Sequence, residues 1–170
     1  MGPMATGLQM SVEEYLGASF PDGDREYLDG EVVERNVGST PHSKVQGRII
    51  ELFAKLREKA PLFALPELRV RIATRRYRIV DVAVYGGQEP AGDVPSEPPL
   101  IAIEIVSRED RYTEILEKLE ECRRWGAAHV WLADPWLRKV SVCEAGSLRE
   151  VTVLAIPEYA VEIQAASILG

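Results

Sequence analysis

The sequence predicts an α/β (α+β) domain: a mixed central β-sheet flanked by helices. Three observations predict it. Residues 40–59 carry Val45, Ile49, Leu52, Phe53 and Leu56 at helical spacing. Residues 100–133 read strand, helix, strand, an order that implies a right-handed parallel crossover. Further short extended runs are separated by turn residues, which adds antiparallel hairpins to that parallel pair.

Each element has a local cause. Ser11-Val12-Glu13-Glu14 is a capping box, in which Ser11 takes the Glu14 N–H and Glu14 reaches back. A short helix follows and stops before Pro21. Asp29-Gly30 joins two extended runs, 25–28 and 31–37, as a tight hairpin. Thr40-Pro41 reads as an N-cap followed by Pro at the first helical position, and the helix runs to about Lys59 before Pro61. Leu68, Val70 and Ile72 alternate with Arg69, Arg71 and Ala73 in a half-buried strand, and residues 77–85 return antiparallel to it. Residues 86–99, rich in Gly, Pro and acids, form a loop too short to link domains. Residues 100–106 are the most apolar strand. Ser107-Arg108-Glu109-Asp110 repeats the capping-box pattern, and a helix from there to about Trp125 is closed by Gly126. Its apolar stripe is Ile115, Leu116, Leu119 and Cys122. Residues 129–133 form the next strand, and the tail forms a hairpin of 139–143 with 148–154.

Composition sets the outer limits. A chain of 170 residues reads as one domain, over 11–170, with residues 1–10 a flexible N-terminus or expression remnant. The net charge of −7 argues against nucleic-acid binding through the overall field, but it leaves room for a local basic groove. Cys122 and Cys143 lack metal-type spacing and read as reduced thiols of a cytoplasmic protein. With two His in the chain, a Cys/His zinc site is disfavoured. No apolar run approaches the roughly 20 residues of a membrane span.

The chemistry points to two acids. Asp81 lies alone in Ile79-Val80-Asp81-Val82-Ala83-Val84, and Glu104 lies alone in Leu100-Ile101-Ala102-Ile103-Glu104-Ile105-Val106. Both runs read as buried strands, and a buried carboxylate costs several kcal/mol unless it is compensated. A divalent ion between the two is the economical compensation. Mg²⁺ (or Mn²⁺) fits, because hard cations take one or two carboxylates together with waters and substrate phosphate. Structural acids, each bonded to an Arg or a backbone amide, are the competing reading.

These residues resemble a family. SVEEYL (11–16), REYLDGEVVE (25–34), PHSKV (41–45), YRIVDVAVY (77–85), the stretch 98–126 and HVWLADP (129–135) are similar, in order, to the Uma2-type (DUF820) endonucleases of the PD-(D/E)xK superfamily. The resemblance implies a restriction-endonuclease-like core and a metal-dependent endonuclease acting on DNA. It implies Asp81 and Glu104 as metal ligands. The superfamily's usual Lys position, two residues after the Glu, is Val106 here, so the resemblance moves the catalytic Lys to Lys118 on the following helix. It also matches Glu31 to an acidic position, as a third metal ligand, and His42 to a position in the cleft, with Glu26 as the alternative acid.

Arg69, Arg71, Arg75, Arg76 and Arg78 cluster within an acidic chain. Arg69, Arg71 and Arg76 suit a phosphate-contacting ridge; a charged edge hairpin, protected from aggregation, explains them equally well. Trp125, Trp131 and Trp136 read as core or interface anchors. A homodimer is expected by analogy with nucleases that cut both strands. The alternative function is a catalytically silent nuclease fold serving as a binding or assembly module. A small-molecule hydrolase would need a nucleophile motif such as GxSxG, which the chain lacks.

Overall fold

A computed structural model describes residues 7–21, 23–36 and 38–170. Chain order is β1 (Leu8–Gln9), α1 (Val12–Gly17), β2 (Arg25–Leu28), β3 (Glu31–Glu34), α2 (Thr40–Leu56), β4 (Leu62–Ala73), β5 (Arg76–Gly86), β6 (Ile101–Ile105), α3 (Tyr112–Trp125), β7 (His129–Asp134), β8 (Lys139–Glu144), β9 (Ser147–Val151), β10 (Val153–Ile156), β11 (Val161–Gln164) and α4 (Ala165–Leu169). The mixed α/β class is that of the sequence. Among the described residues, nine strands form one sheet and β10 with β11 a separate ribbon. The parallel pair is β6 with β7, joined through α3, as the strand-helix-strand order requires.

Strand β5 is the hub. Along one edge it pairs with β4 over nearly its whole length. Its other edge is shared: β2 pairs at Tyr77 and Arg76, whereas β6 pairs only from Val82 to Val84. Between Tyr77 and Val82 that edge has neither strand as a ladder partner. Backbone polar groups in a sheet interior must still be satisfied, and side chains do so at this seam.

Alternation along β5 divides the core between two faces. Val82 and Val84 pack with Val45, Ile49 and Phe53 of α2 and with Ile168 of α4. Ala83 and Tyr85 join Leu119 and Cys122 of α3 on the other face. A third cluster, Tyr15, Tyr27, Val32 and Tyr77, fixes the β2–β3 hairpin, with the Tyr15 and Tyr27 rings stacked 5.0 Å apart. The Tyr15 hydroxyl donates to the Arg25 carbonyl (2.6 Å) and the Tyr27 hydroxyl to that of Met10 (2.8 Å).

Several boundaries differ from expectation. Ser39, not Thr40, is the N-cap of α2, and the helix ends at Leu56. Helix α3 begins at Tyr112, because the Asp110 carboxylate accepts the Ser107 N–H (2.7 Å) and closes a turn ahead of the helix. Strand β4 starts six residues before Leu68; it tolerates Pro66 as an edge strand. Its Glu67 adopts φ 50°. The hairpin of β8 and β9 ends at Val151; β10, β11 and α4 were not foreseen. Leu8–Gln9, from the N-terminal stretch, pair with β3; residues 1–6 and Val37 lie outside the described residues.

The Asp29-Gly30 turn joins β2 and β3 with φ of 54° and 105°, the two positive values a type I′ hairpin requires. A Cβ on Gly30 would also meet Arg75 Nη2 at 2.7 Å. Gly30→Ala is expected to cost about 1–2 kcal/mol in urea denaturation; an unchanged midpoint would contradict this account of the turn.

Candidate active site

The seam on β5 opens into a cleft of about 670 Å³. Its floor is a set of buried ions. Lys118 extends from α3 with its ammonium 3.1 Å from Glu104 Oε2 and 3.0 Å from Glu26 Oε1, and it donates to the Ile79 carbonyl at 2.6 Å. Glu26 accepts the Ile79 N–H (3.0 Å) and pairs with Arg78 (2.9 Å). Arg78 in turn pairs with Glu121 on α3 (2.8 Å). Thus Glu26 supplies to Ile79 the acceptor, and Lys118 the donor, that a strand would supply elsewhere.

Asp81 bridges the seam to β6. Its Oδ2 accepts the Ile105 N–H at 2.8 Å and lies 3.3 Å from His42 Nε2; its Oδ1 accepts from Arg35 at 2.8 Å. Arg35 also binds Glu67 (2.5 Å), and Gln46 on α2 donates to both Glu67 and the Asp81 carbonyl. Glu104 is less well served. Its Oε1 is buried without a hydrogen-bond partner among the described residues.

Protonation follows this asymmetry. Burial alone would raise the Asp81 pKa, but the His42 hydrogen bond and the charges of Lys118, His42 and Arg35 hold it down at about 2. Glu104 is pushed up to about 8 by burial and then by the Asp81 charge, against the pull of Lys118. Burial opposes the charge on Lys118 too, yet Glu104 and Glu26 outweigh it and raise the pKa, so the amine stays an ammonium. Glu26 falls to about 2: Lys118, Arg78 and the Ile79 N–H overcome its burial. His42 is raised, because Asp81 outweighs burial.

Of the residues singled out by sequence, Asp81, Glu104, Lys118, His42 and Glu26 line one cleft. Glu31 is not among its lining residues: its carboxylate accepts the Gly7 N–H at 3.0 Å, and Glu26 is the acid that reaches Lys118. Nor does the arginine ridge reach the cleft. Arg69 lies over the Tyr15 ring at 5.0 Å, Arg76 is engaged by Asp29 and Glu121, and Arg71 is exposed on β4. Arg35, Gln46 and Glu67 were missed. Their signal is tertiary: Arg35 follows β3, and Glu67 reaches the site through the backbone kink in β4.

A family model named Uma2 and described as "Putative restriction endonuclease" matches residues 12–165. The chain belongs to the Uma2 family. Membership supports a nuclease role for the chain. A crystal structure described as that of "a putative nuclease belonging to DUF820 from Anabaena variabilis ATCC 29413" is similar with a TM-score of 0.79, at 18% identity, over 94% of this chain and 97% of that one. At that identity the likeness carries the fold. No curated protein matches the chain.

Two predictions follow from the ion set. Glu104 is protonated below about pH 4.5 in folded and unfolded chain alike. Above that the unfolded chain releases its proton while the folded chain keeps it to about pH 8, so stability falls across this window. Asp81 and Glu26 act in reverse: their contribution is present above the unfolded values of 3.8 and 4.5 and is lost as pH falls toward 2. Urea denaturation in chelator should show the decline between those limits in the wild type and a flatter profile in Glu104→Gln; equal slopes would refute the assignment. Glu26→Gln, which breaks a buried pair, is expected to cost about 3 kcal/mol in the same assay.

Proposed function

We propose that the chain is an endonuclease that hydrolyses phosphodiester bonds in DNA at this cleft, with Asp81, Glu104 and Lys118 as its working residues. The observation that carries the reading is the meeting of Lys118 with Glu104, from different elements, beside Asp81. The donor set fits a hard divalent ion in one respect: a buried carboxylate oxygen on Glu104 lacks a partner among the described residues. Among the described residues no group of three or more His, Cys, Asp or Glu is placed to hold a metal. Two carboxylates are nevertheless sufficient for Mg²⁺ when waters and phosphate complete the shell. Asp81 and Glu104 would hold Mg²⁺ or Mn²⁺, and the bound ion would supply Lewis acidity toward a phosphoryl oxygen.

Lys118 has a defined part in this reading. Its raised pKa makes it a fixed cation, unable to accept a proton at neutral pH. Its role is therefore to orient the attacking water and to stabilise negative charge developing on the phosphoryl group. Glu26 positions that ammonium, and His42 positions Asp81. For the nucleic acid, the cations beside the cleft are Arg111, which lines it, and Arg108, stacked over Trp136 at 4.6 Å in the adjoining loop. Acidic residues outnumber basic ones in the lining, which favours the second reading, a silent binding or assembly module.

Cleavage of supercoiled plasmid and of single- and double-stranded oligonucleotides separates the two readings. With Mg²⁺ or Mn²⁺ the wild type should cut and chelator should stop it. Asp81→Ala and Lys118→Met should each slow cutting by about 10²-fold or more. No cleavage of any DNA or RNA form, or full activity in Asp81→Ala, would overturn the nuclease reading and leave the silent module.

A further inference from the structure

Among the described residues the Asp81 carboxylate has three partners, and they differ in kind. The Ile105 N–H is backbone of β6, fixed in the sheet. His42 is anchored on α2. Arg35 lies beyond the end of β3, and its long side chain can leave Asp81 without moving any strand or helix. Arg35 also holds Glu67 at 2.5 Å, so a guanidinium released by Asp81 keeps a second anchor. Glu67 is itself steadied by Gln46 at 2.7 Å.

We propose that Arg35 is a displaceable counter-ion, occupying the Asp81 oxygen that a divalent ion takes, so that metal enters the site by driving the guanidinium off Asp81 onto Glu67. This rests on Asp81 being a metal ligand. The placement of partners supports it. Arg35 occupies Asp81 Oδ1, whereas Glu104 Oε1 has no hydrogen-bond partner among the described residues. A dication entering beside Glu104 therefore meets Arg35 on the Asp81 oxygen it needs. Releasing Arg35 frees Asp81 Oδ1 as well. Because a guanidinium does not deprotonate, no ordinary pH change empties this position; a competing cation does. Arg35 thereby lowers the metal affinity of the carboxylate pair and keeps Asp81 compensated in the free protein.

Calorimetric titration of the full chain with Mn²⁺ tests this without reference to activity. Arg35→Gln should bind Mn²⁺ about tenfold more tightly than wild type. Arg111→Gln removes an exposed cation from the same cleft and should bind as the wild type does, which separates displacement from a general field effect. Asp81→Asn should lose binding. Arg35→Gln binding no more tightly than wild type, or no more tightly than Arg111→Gln, overturns the counter-ion while leaving the metal site standing. No Mn²⁺ binding in any form overturns the metal site and the counter-ion with it. If Arg35→Gln fails to fold, the wild type still decides. The Arg35 Nε–H resonance should shift on saturation with Mg²⁺, and an unmoved resonance overturns the proposal.

Discussion

The buried ammonium of Lys118 joins what backbone pairing leaves apart. The strands β2 and β6 divide one edge of β5 between them, and neither covers the stretch from Arg78 to Asp81. Lys118 reaches into this seam from α3 and binds Glu26 on β2, the Ile79 carbonyl on β5 and Glu104 on β6. One side chain thus connects four elements. A lone ammonium in such a place would be prohibitively costly; two carboxylates and a carbonyl make it tolerable. The converse holds for the acids, which depend on Lys118 for compensation.

This mutual dependence explains why the cleft forms at the seam. An unbroken ladder would leave no room for side chains to hydrogen-bond the β5 backbone. Where the strands part, Glu26 and Lys118 satisfy Ile79, and Asp81 satisfies Ile105. The polar groups are the local substitute for a strand, and the same groups make up the chemistry of the site. Structure and proposed function draw on one set of residues, so substitutions at Glu26 or Lys118 are expected to touch both.

Much of this was legible in the sequence, for physical reasons. An acid alone in a run such as Ile101 to Ile105 has few explanations, so Asp81 and Glu104 stood out. The hairpin at Asp29-Gly30, the core face of α2 and the parallel pair of β6 and β7 follow from local pattern. Lys118 came only through resemblance, since Leu116-Glu117-Lys118-Leu119-Glu120 reads equally as a solvated helix face. Arg35 and Glu67 were invisible because their meeting depends on the exit from β3 and on the kink at Glu67. The arginine cluster divides for a related reason. Arg78 lines the cleft and pairs with Glu26, whereas tertiary packing turns Arg69 onto Tyr15 and Arg76 onto Asp29 and Glu121.

The central claim is that Asp81 and Glu104, the paired acids of this seam, act together on a divalent ion beside Lys118. A crystal soaked in Mn²⁺ and measured for anomalous scattering addresses it most directly. The account predicts a single strong peak in contact with an Asp81 oxygen and with Glu104 Oε1, the oxygen that lacks a partner among the described residues. Anomalous density elsewhere only, with Arg35 still on Asp81 and Glu104 Oε1 bare, would contradict it.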